Sequence, residues 1–363
     1  MRKILLLFTA LVSLSAVVEA GPGLKRFLYL STPDGAQEGG SGKGILIFDI
    51  DNGHRFVRRI DIAFKEGLRG FCGSTKRHAV YYTTTNRRLG AFDLESEKII
   101  WERQYDLGCD RACTTPDGNK LYVPTGWWWK GTNGGFLVVN PDNGDLLRRL
   151  PAGGAAHNSI ASLDGQFVYL GTETNLWVFR TSDDSLVRNI CNVGESGVFP
   201  FTIDSRNRYA YVCLGKHVGF DVANLQTGEV PHRVLAGGEP IPHRTHGAAL
   251  TPDEKELWIS DQEGKKLFMF DATQMPPKET GHVDLTQGGH GWVTFSLDGR
   301  YAWCHTPDVI DRRTRKIVAT LKDENGKPVC GSKFIEVHFR DGKVVEMGDQ
   351  FGLGRAGLNV AAQ

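Results

Sequence analysis

The segment Thr114–Gly126, TTPDGNKLYVPTG, joins two β-prone runs through Asp-Gly and has an aromatic residue five positions after the aspartate. Residues 161–172 (ASLDGQFVYLGT), 250–261 (LTPDEKELWISD) and 295–306 (FSLDGRYAWCHT) follow the same template. Asp-Gly between such runs is a strong signal for a β-hairpin turn. The segment therefore predicts two short strands, and its recurrence predicts a repeat protein.

Three weaker copies extend the repeat, and the aspartate-equivalent positions then form a series of seven. Successive positions are 41 to 47 residues apart. The seven positions are Lys76, Asp117, Asp164, Arg206, Asp253, Asp298 and Asp341. Further apolar runs follow, so each repeat holds four strands, which is typical of a β-propeller blade. The sequence predicts an all-β fold: a single seven-bladed β-propeller of four-stranded blades.

The two ends of the chain predict how the ring closes. Residues 26–60 supply a second, third and fourth strand but no first, while residues 333–349 supply a first strand and little beyond it. One blade shared between the N- and C-termini would close the ring and remove its open edge. We therefore assign residues 21–350 to the propeller and residues 351–363 to a C-terminal tail.

The N-terminus predicts export. Arg2 and Lys3 precede the apolar stretch Ile4–Leu14, and small residues ending at Ala20 predict a cleavage site. We expect residues 1–20 to be a signal peptide and the rest to be a soluble periplasmic or secreted protein. The apolar stretch is short for a membrane span and no later segment is a better candidate, so no span is predicted.

Composition and absent motifs narrow the function classes. Lys and Arg number 43 against 42 for Asp and Glu, so the charge balance does not predict nucleic-acid binding. No GxGxxG joins a predicted strand to a helix, which argues against a nucleotide cofactor, and no GxSxG elbow is present. Seven cysteines permit disulfides in an exported chain, and Cys72–Cys113 is conceivable, but two buried thiols are the favoured interpretation. We expect a monomer.

The repeat resembles that of the exported YVTN-repeat propellers, most closely at residues 115–123 (TPDGNKLYV) and 251–259 (TPDEKELWI). The resemblance covers essentially all of the chain after residue 20 and implies the propeller fold. Related propeller families include binding scaffolds, lactonase-like hydrolases, streptogramin-type lyases and haem-handling proteins. Because the shared motif specifies turns and strand cores, the resemblance does not imply an activity.

The repeat also predicts which residues meet at one mouth of the central channel. The position seven residues before each aspartate equivalent opens an innermost strand at the face where propellers usually bind ligands. These positions and their neighbours include Arg69, Asp110, Arg111, His157, Asn158, His246, His290 and Lys333. Loops between second and third strands add His217, His305 and the row Trp127, Trp128 and Trp129.

From this set we predict a catalytic group, in which a histidine takes a proton alpha to a carboxylate that an arginine neutralises. Its members are His157, His246, His290, Arg69, Arg111 and Asp110. Neutral imidazoles also suit a divalent metal ion, for which the candidate ligands are His157, His246, His290 and His243. In the alternative interpretation these histidines are structural, and each forms hydrogen bonds only with the backbone of its own blade.

Further residues at the mouth are predicted to bind a ligand: Trp127, Trp128, Trp129, Asn158, His305 and Lys333. The tryptophan row could be a stacking platform for a sugar or could cap its blade's core. The remaining histidines fall at turns or on outer strands, where we expect exposure to solvent; they are His54, His78, His232 and His282.

Two functions of different classes remain open. In one, the protein is a lyase or hydrolase acting on a uronate or other carbohydrate-like substrate or on a lactone. In the other, it is a non-catalytic module that binds a saccharide, a cofactor or a protein partner at the same mouth. Either predicts a small-molecule or oligosaccharide ligand. A catalytic site would place two titratable groups with shifted pKa values within about 3–5 Å of one centre.

Overall fold

The computed structural model describes residues 23–33, 41–62, 66–84, 86–127, 134–173, 175–195, 200–261, 263–289, 291–331 and 333–349. Across these residues the strands form seven antiparallel sheets, six of four strands and one of five. Each sheet is one blade, so the predicted seven-bladed propeller is confirmed. We number the blades from the one that joins the two ends of the chain.

Blades 2 to 7 follow one another along the chain, and each begins with its innermost strand. Blade 2 holds β4 (Leu68–Ser74), β5 (Ala79–Thr84), β6 (Arg88–Asp93) and β7 (Lys98–Gln104); blade 3 holds β8 (Cys113–Thr114), β9 (Leu121–Thr125), β10 (Gly135–Val139) and β11 (Leu146–Pro151); blade 4 holds β12 (Asn158–Ala161), β13 (Phe167–Gly171), β14 (Asn175–Arg180) and β15 (Leu186–Cys191). Blade 5 holds β16 (Phe201–Ile203), β17 (Tyr209–Cys213), β18 (Gly219–Asn224) and β19 (His232–Leu235); blade 6 holds β20 (Thr245–Leu250), β21 (Glu256–Asp261), β22 (Lys266–Asp271) and β23 (Lys278–Asp284); blade 7 holds β24 (Thr294–Phe295), β25 (Tyr301–Trp303), β26 (Asp308–Asp311) and β27 (Lys316–Thr320).

Blade 1 is assembled from both ends of the chain, as predicted. It holds β28 (Lys333–Arg340), β1 (Leu24–Ser31), β2 (Ile45–Asp49), β3 (Arg55–Ile60) and β29 (Lys343–Asp349). Strand β1 pairs with β28 over its full length, from Leu24 opposite Arg340 to Ser31 opposite Lys333. The ring is therefore closed by backbone hydrogen bonds between the two ends of the chain.

Strand β29 corrects the expectation that the C-terminal region holds little beyond one strand. It pairs with the edge of β28 that faces away from β1. Because β1, β2 and β3 proceed outward in that order, β29 lies on the channel side of β28. Its Val344 and Met347 are buried in the core between blades 1 and 2, which explains why the strand is retained there.

The recurring Ser/Thr-x-Asp-Gly sequence acts as a turn whose side chains bond the backbone. In blade 3, Thr115 Oγ1 donates to Asp117 Oδ1 over 2.6 Å, and the backbone N–H of Asn119 donates to the same oxygen over 3.0 Å. Gly118 has φ +70°, which glycine adopts without steric cost. The aromatic residues that follow are buried between blades, including Tyr122, Tyr169, Trp258 and Trp303.

The short helices and the cysteines complete the description of the fold. The described residues include two short 3₁₀ helices, Thr75–Arg77 and Ala236–Gly238. In the described ranges, no helix has the length and apolarity to cross a membrane. The seven cysteines all lie in these ranges and form no disulfide, so Cys72 and Cys113 are two buried thiols, as favoured.

The predicted exposure of His54 was wrong. The residue is 4% exposed, and its ring meets Tyr301 of blade 7 edge-on at a centroid distance of 4.8 Å. Packing between neighbouring blades, which the position of His54 in a turn does not predict, buries the imidazole.

Candidate functional site

Two of the predicted residues enter the mouth from β-bulges. The pairing of β4 with β5 shifts register between Leu68 and Phe71, on either side of Arg69. The pairing of β20 with β21 shifts register between Thr245 and Ala248, on either side of His246. A glycine follows each: a Cβ on Gly70 would lie 2.6 Å from the carbonyl oxygen of Asp110, and a Cβ on Gly247 would overlap the next blade's backbone. Bulges of this kind re-aim side chains, and the glycines let the neighbouring blade approach closely.

Asp110, Arg111 and His157 are held where blades 3 and 4 meet. The backbone N–H of Asp110 donates to Pro124 O over 2.9 Å, and that of Arg111 donates to His157 O over 3.3 Å. Arg111 and Asn158 form an isolated parallel bridge between the two blades. The chain just before β8 is therefore bonded to the next blade, which brings these three side chains into one cluster.

The carboxylate of Asp110 lies at the centre of this cluster. Arg69 donates to both oxygens, Nε to Oδ1 over 2.8 Å and Nη2 to Oδ2 over 3.2 Å. Arg111 Nη1 lies 2.5 Å from Oδ1, and His157 Nδ1 lies 2.8 Å from Oδ2. Burial alone would raise the pKa of Asp110, but the charges of Arg111 and Arg69 hold this pKa far below its usual range. Asp110 is therefore ionised.

The contact with Asp110 determines the tautomer of His157. His157 Nδ1 lies 2.8 Å from Asp110 Oδ2 and 3.1 Å from Arg111 Nη1, and one nitrogen of a neutral imidazole cannot both donate to the carboxylate and accept from the guanidinium. We assign the proton to Nδ1, because the contact with Asp110 is the shorter one and an ionised carboxylate oxygen can only accept, and this leaves the lone pair on Nε2. Burial, followed by the charge of Arg111, lowers the pKa of His157 to about 3. The ring is neutral at neutral pH and has an Asp–His geometry suited to accepting a proton at Nε2.

Aromatic rings enclose the imidazole. Trp127 stacks on His157 with centroids 4.2 Å apart and an interplanar angle of 29°. His246 and Trp292 lie on another side, each with its centroid 6.1 Å from that of His157, and they meet each other edge-on at 5.4 Å. The group of His157, His246, Trp127 and Trp292 thus forms aromatic walls around the charged cluster.

Two basic side chains, Arg111 and Lys333, lie against the indole of Trp292. The Arg111 guanidinium carbon lies 5.0 Å from the ring centroid, and Lys333 Nζ lies 3.7 Å from it. Burial lowers the pKa of Arg111 to about 10, which leaves it charged at neutral pH. Lys333 is 0% exposed, and burial, followed by the charge of Arg111, lowers the pKa of its amine well below its usual value.

Among the described charged groups of this cluster, positive charge exceeds negative charge. Arg69 and Arg111 are cationic, and Asp110, which both of them contact, is acidic. In addition, Arg111 Nε and Trp292 Nε1 are buried donors that have no hydrogen-bond partner in the described part of the chain. A buried donor without a partner costs about 1–3 kcal/mol, so the arrangement favours an acceptor that carries negative charge.

The structure brings most of the predicted mouth residues together. The cluster contains Arg69, Asp110, Arg111, Trp127, His157, Asn158, His246 and Lys333. By contrast, His305 packs beside Gly289, and His243 Nδ1 lies 3.1 Å from both carboxylate oxygens of Asp261 within its own blade. Three predicted residues, Trp128, Trp129 and His290, lie outside the described residues.

Trp292 is the functional candidate that the predicted site lacked. Its contacts with Arg111, Lys333, His157 and His246 place it at the centre of one wall. Its position in the repeat puts Trp292 at the mouth, one residue past the strand-opening position like Arg111 and Asn158, but the predicted site did not include it.

The metal site stays a prediction. Within the described ranges no group of three or more His, Cys, Asp or Glu side chains could hold a metal ion, and His290 is not among these residues. His157 and His246 are neighbours, but Arg111 Nη1 lies 3.1 Å from His157 Nδ1. The guanidinium charge beside the ring works against the binding of a metal cation through His157, whose lone pair is on Nε2.

Comparisons with known proteins support the fold and no specific activity. No protein-family model matches the chain, so the resemblance to the YVTN-repeat propellers stays a prediction. No curated protein sequence matches either. Among solved structures, the chain is similar to hydrazine synthase from Kuenenia stuttgartiensis, with a TM-score of 0.56 and 16% sequence identity over 70% of this chain and 80% of that one. At this identity the likeness shows a shared fold alone.

Proposed function

We propose that the channel mouth binds a small organic anion and acts on it as a lyase or hydrolase, with a uronate, or a lactone that also carries a carboxylate, as the substrate. The observation that carries the proposal is the surplus of positive charge in a buried cluster. Among the described residues, the cationic Arg69 and Arg111 both contact Asp110 and together outnumber it. An anion is strongly favoured there because Coulomb interactions strengthen as water is excluded.

The groups at the mouth suit a carboxylate attached to an apolar ring face. Arg111 Nε and Trp292 Nε1 are buried donors available to oxygen atoms of the ligand, and charge-assisted hydrogen bonds of this kind are among the stronger ones. The flat faces of Trp127 and Trp292 can pack against the C–H face of a sugar. Together these groups favour an acidic sugar over a neutral one.

Proton abstraction alpha to the bound carboxylate is the reaction that these groups support. His157 Nε2 takes the proton, and Asp110 orients the ring and offsets the charge of the imidazolium that forms. The electron pair of the C–H bond becomes the new C=C bond, and the bond to the leaving group on the next carbon breaks with its electrons. The same base could instead take a proton from water that attacks a lactone.

The low pKa of His157 links ligand binding to base strength. At about 3 the pKa leaves the imidazole neutral but weakly basic. Because the charge of Arg111 helps to lower this pKa, an anion next to Arg111 would offset that charge and raise it. The imidazole would thus become a stronger base when a carboxylate is bound.

A non-catalytic binding module is the second candidate. The observation in its favour is that Asp110 already pairs with Arg69, Arg111 and His157. In addition, Trp127 covers one face of the imidazole at 4.2 Å. A site so fully bonded within the protein could hold a ligand without transforming it.

Two measurements on the full chain test the proposal: calorimetric titration with D-glucuronate, and incubation with oligogalacturonides and with a lactone, followed by product absorbance and acid release. We expect His157→Gln to keep binding and to lower turnover at least about 100-fold, since general-base catalysis contributes 10²–10⁴-fold. His217→Gln is the matched control, because His217 is a rim histidine paired with Glu195 over 2.8 Å. Binding without turnover would favour the binding module, and failure to bind any carboxylate would contradict the proposal.

A further inference from the structure

We propose that Lys333 is a nucleophilic amine that forms an imine with the carbonyl group of a small oxo acid bound at the channel mouth. The inference rests on the proposed function, because the carboxylate of the oxo acid would occupy the anion site. It adds a covalent step and a narrower substrate class, a carbonyl compound that also carries a carboxylate.

Lys333 has a fixed position on a rigid element. It is the first residue of β28 and lies opposite Ser31 at the seam that closes the ring. The backbone N–H of Lys333 donates to Ser31 Oγ over 3.1 Å, and Ser31 Oγ donates to the carbonyl of Lys333 over 3.4 Å. A reactive group on a paired strand is held more accurately than one on a loop.

The surroundings of the amine favour its neutral, nucleophilic form. Lysine is almost never fully buried, yet Lys333 is 0% exposed and its Nζ lies against the indole of Trp292. A cation–π contact favours the ammonium, but removing an ammonium from water costs more than that contact returns. The charge of Arg111 and then that of Arg69 add to this cost, the charge of Asp110 opposes it, and the pKa of the amine falls. Lysines desolvated beside other cations are activated as nucleophiles in this way.

The distance between the Lys333 amine and the Arg111 guanidinium limits the size of the substrate. Lys333 Nζ and the Arg111 guanidinium carbon lie 3.7 and 5.0 Å from the same ring centroid, so their separation is at most the sum of these distances. A carboxylate at Arg111 therefore places a carbonyl carbon at Lys333 only if no more than a few carbon atoms separate the two groups. Short 2-oxo acids and open-chain uronates have this form.

The covalent step needs no further reactant. The amine nitrogen attacks the carbonyl carbon, forming a C–N bond and a carbinolamine. The C–O bond then breaks, and the oxygen leaves as water with both hydrogen atoms of the amine, which leaves a C=N bond to Lys333. The imine draws electrons from the neighbouring carbon, so the proton on that carbon becomes removable by His157.

Reductive trapping in the full chain tests the inference. The protein is incubated with pyruvate and cyanoborohydride, and lysine peptides are then quantified by mass spectrometry. We expect Lys333 to gain the mass of one pyruvate less one oxygen atom, and excess propionate to suppress this gain. Labelling of Lys333 should exceed that of exposed lysines by at least about tenfold, since each unit of pKa lowering raises the neutral fraction about tenfold. Lys343, an exposed lysine on the same hairpin, is the internal control.

Variants and a neutral probe separate the possible failures. Lys333→Arg should lose the adduct, and Lys343→Arg should change neither the adduct nor the calorimetric binding of propionate. Propionate binding without labelling of Lys333 would overturn the imine while leaving the proposed function in place. If neither propionate binding nor labelling occurs, both fail. If acetone labels Lys333 as fast as pyruvate does, the amine is nucleophilic but the oxo-acid class is wrong.

Discussion

Two buried histidines at opposite ends of the channel differ in their preferred charge. His157 at the mouth and His338 near the far end of β28 each pair with a buried carboxylate, Asp110 at 2.8 Å and Glu336 at 2.7 Å. The pKa of His157 is nevertheless lowered to about 3, whereas that of His338 is raised to about 9.

The second neighbour of each ring accounts for the difference. Arg111 Nη1 lies 3.1 Å from His157 Nδ1, while Glu346 Oε2 lies 3.2 Å from His338 Nδ1. Burial lowers the pKa of both rings, and it prevails where the second neighbour is a cation. Two carboxylates reverse the outcome at His338, so both of its ring nitrogens donate hydrogen bonds.

The comparison shows that the channel is electrostatically polarised. Strand β28 carries Lys333 at its mouth end and His338 five residues later, about 17 Å away at the rise of a β-strand. The mouth has a surplus of cations, and the region around His338 has a surplus of carboxylates. Of these two described regions, the mouth is therefore the one that suits an anionic ligand.

The largest expected effect comes from removing the strand that links the two regions. Deleting residues 329–363 removes β28 and β29, which opens the ring and exposes the edge of β1. We expect loss of the cooperative thermal transition, since closure no longer pairs the two ends. A cooperative transition at an unchanged temperature would contradict the closed-ring account.

The next effect tests the balance of charge at the mouth. Asp110→Asn leaves Arg69 and Arg111 buried without their carboxylate, so the free energy of unfolding should fall by about 3–5 kcal/mol. Asp142→Asn is the control, because Asp142 pairs with Arg77 at the surface and should cost about 0–1 kcal/mol. Urea denaturation measures both. Equal losses of unfolding free energy in the two variants would show that the Asp110 carboxylate stabilises the fold no more than a surface carboxylate does.

The two histidines should affect stability in opposite directions with pH. For His338, the folded pKa of about 9 exceeds the unfolded value of 6.5, so its stabilisation is complete below pH 6.5 and is lost as the pH rises through 9. For His157, the folded pKa of about 3 lies below 6.5, so its stabilisation is present above pH 6.5 and is lost as the pH falls toward 3.

Urea denaturation across the pH range measures this contrast. His338→Gln should remove an alkaline loss of roughly 2–3 kcal/mol between pH 6.5 and 9, and His157→Gln should flatten the acid limb. If both variants flatten the same limb, the second-neighbour explanation is wrong.

The smallest effect concerns the second neighbour of His338. The side chain of Glu346 is 47% exposed, so Glu346→Gln should lower stability by only about 0–1 kcal/mol. It should nevertheless shift the imidazole titration of His338, followed by NMR, to lower pH because one of two carboxylates is lost. An unchanged titration would mean that Glu336 alone sets the pKa of His338.

Repeat spacing predicted much of this arrangement, because an offset in a propeller repeat fixes height along the channel. Asp110, His157 and His246 were placed at one mouth from counting alone, and the structure brings them together. Contacts across blades were not predictable in this way. The sequence does not reveal which edge of β28 accepts β29, nor that the indole of Trp292 lies under both Arg111 and Lys333.

The central claim is that surplus cations at the mouth select an anion, and paired titrations with D-glucuronate and D-glucose test it most directly. The two sugars differ in a single carboxylate. We expect glucuronate to bind at least about tenfold more tightly, equivalent to about 1.4 kcal/mol, and Arg111→Met to abolish this preference. Equal affinity for the two sugars, or a preference for glucose, would contradict the account.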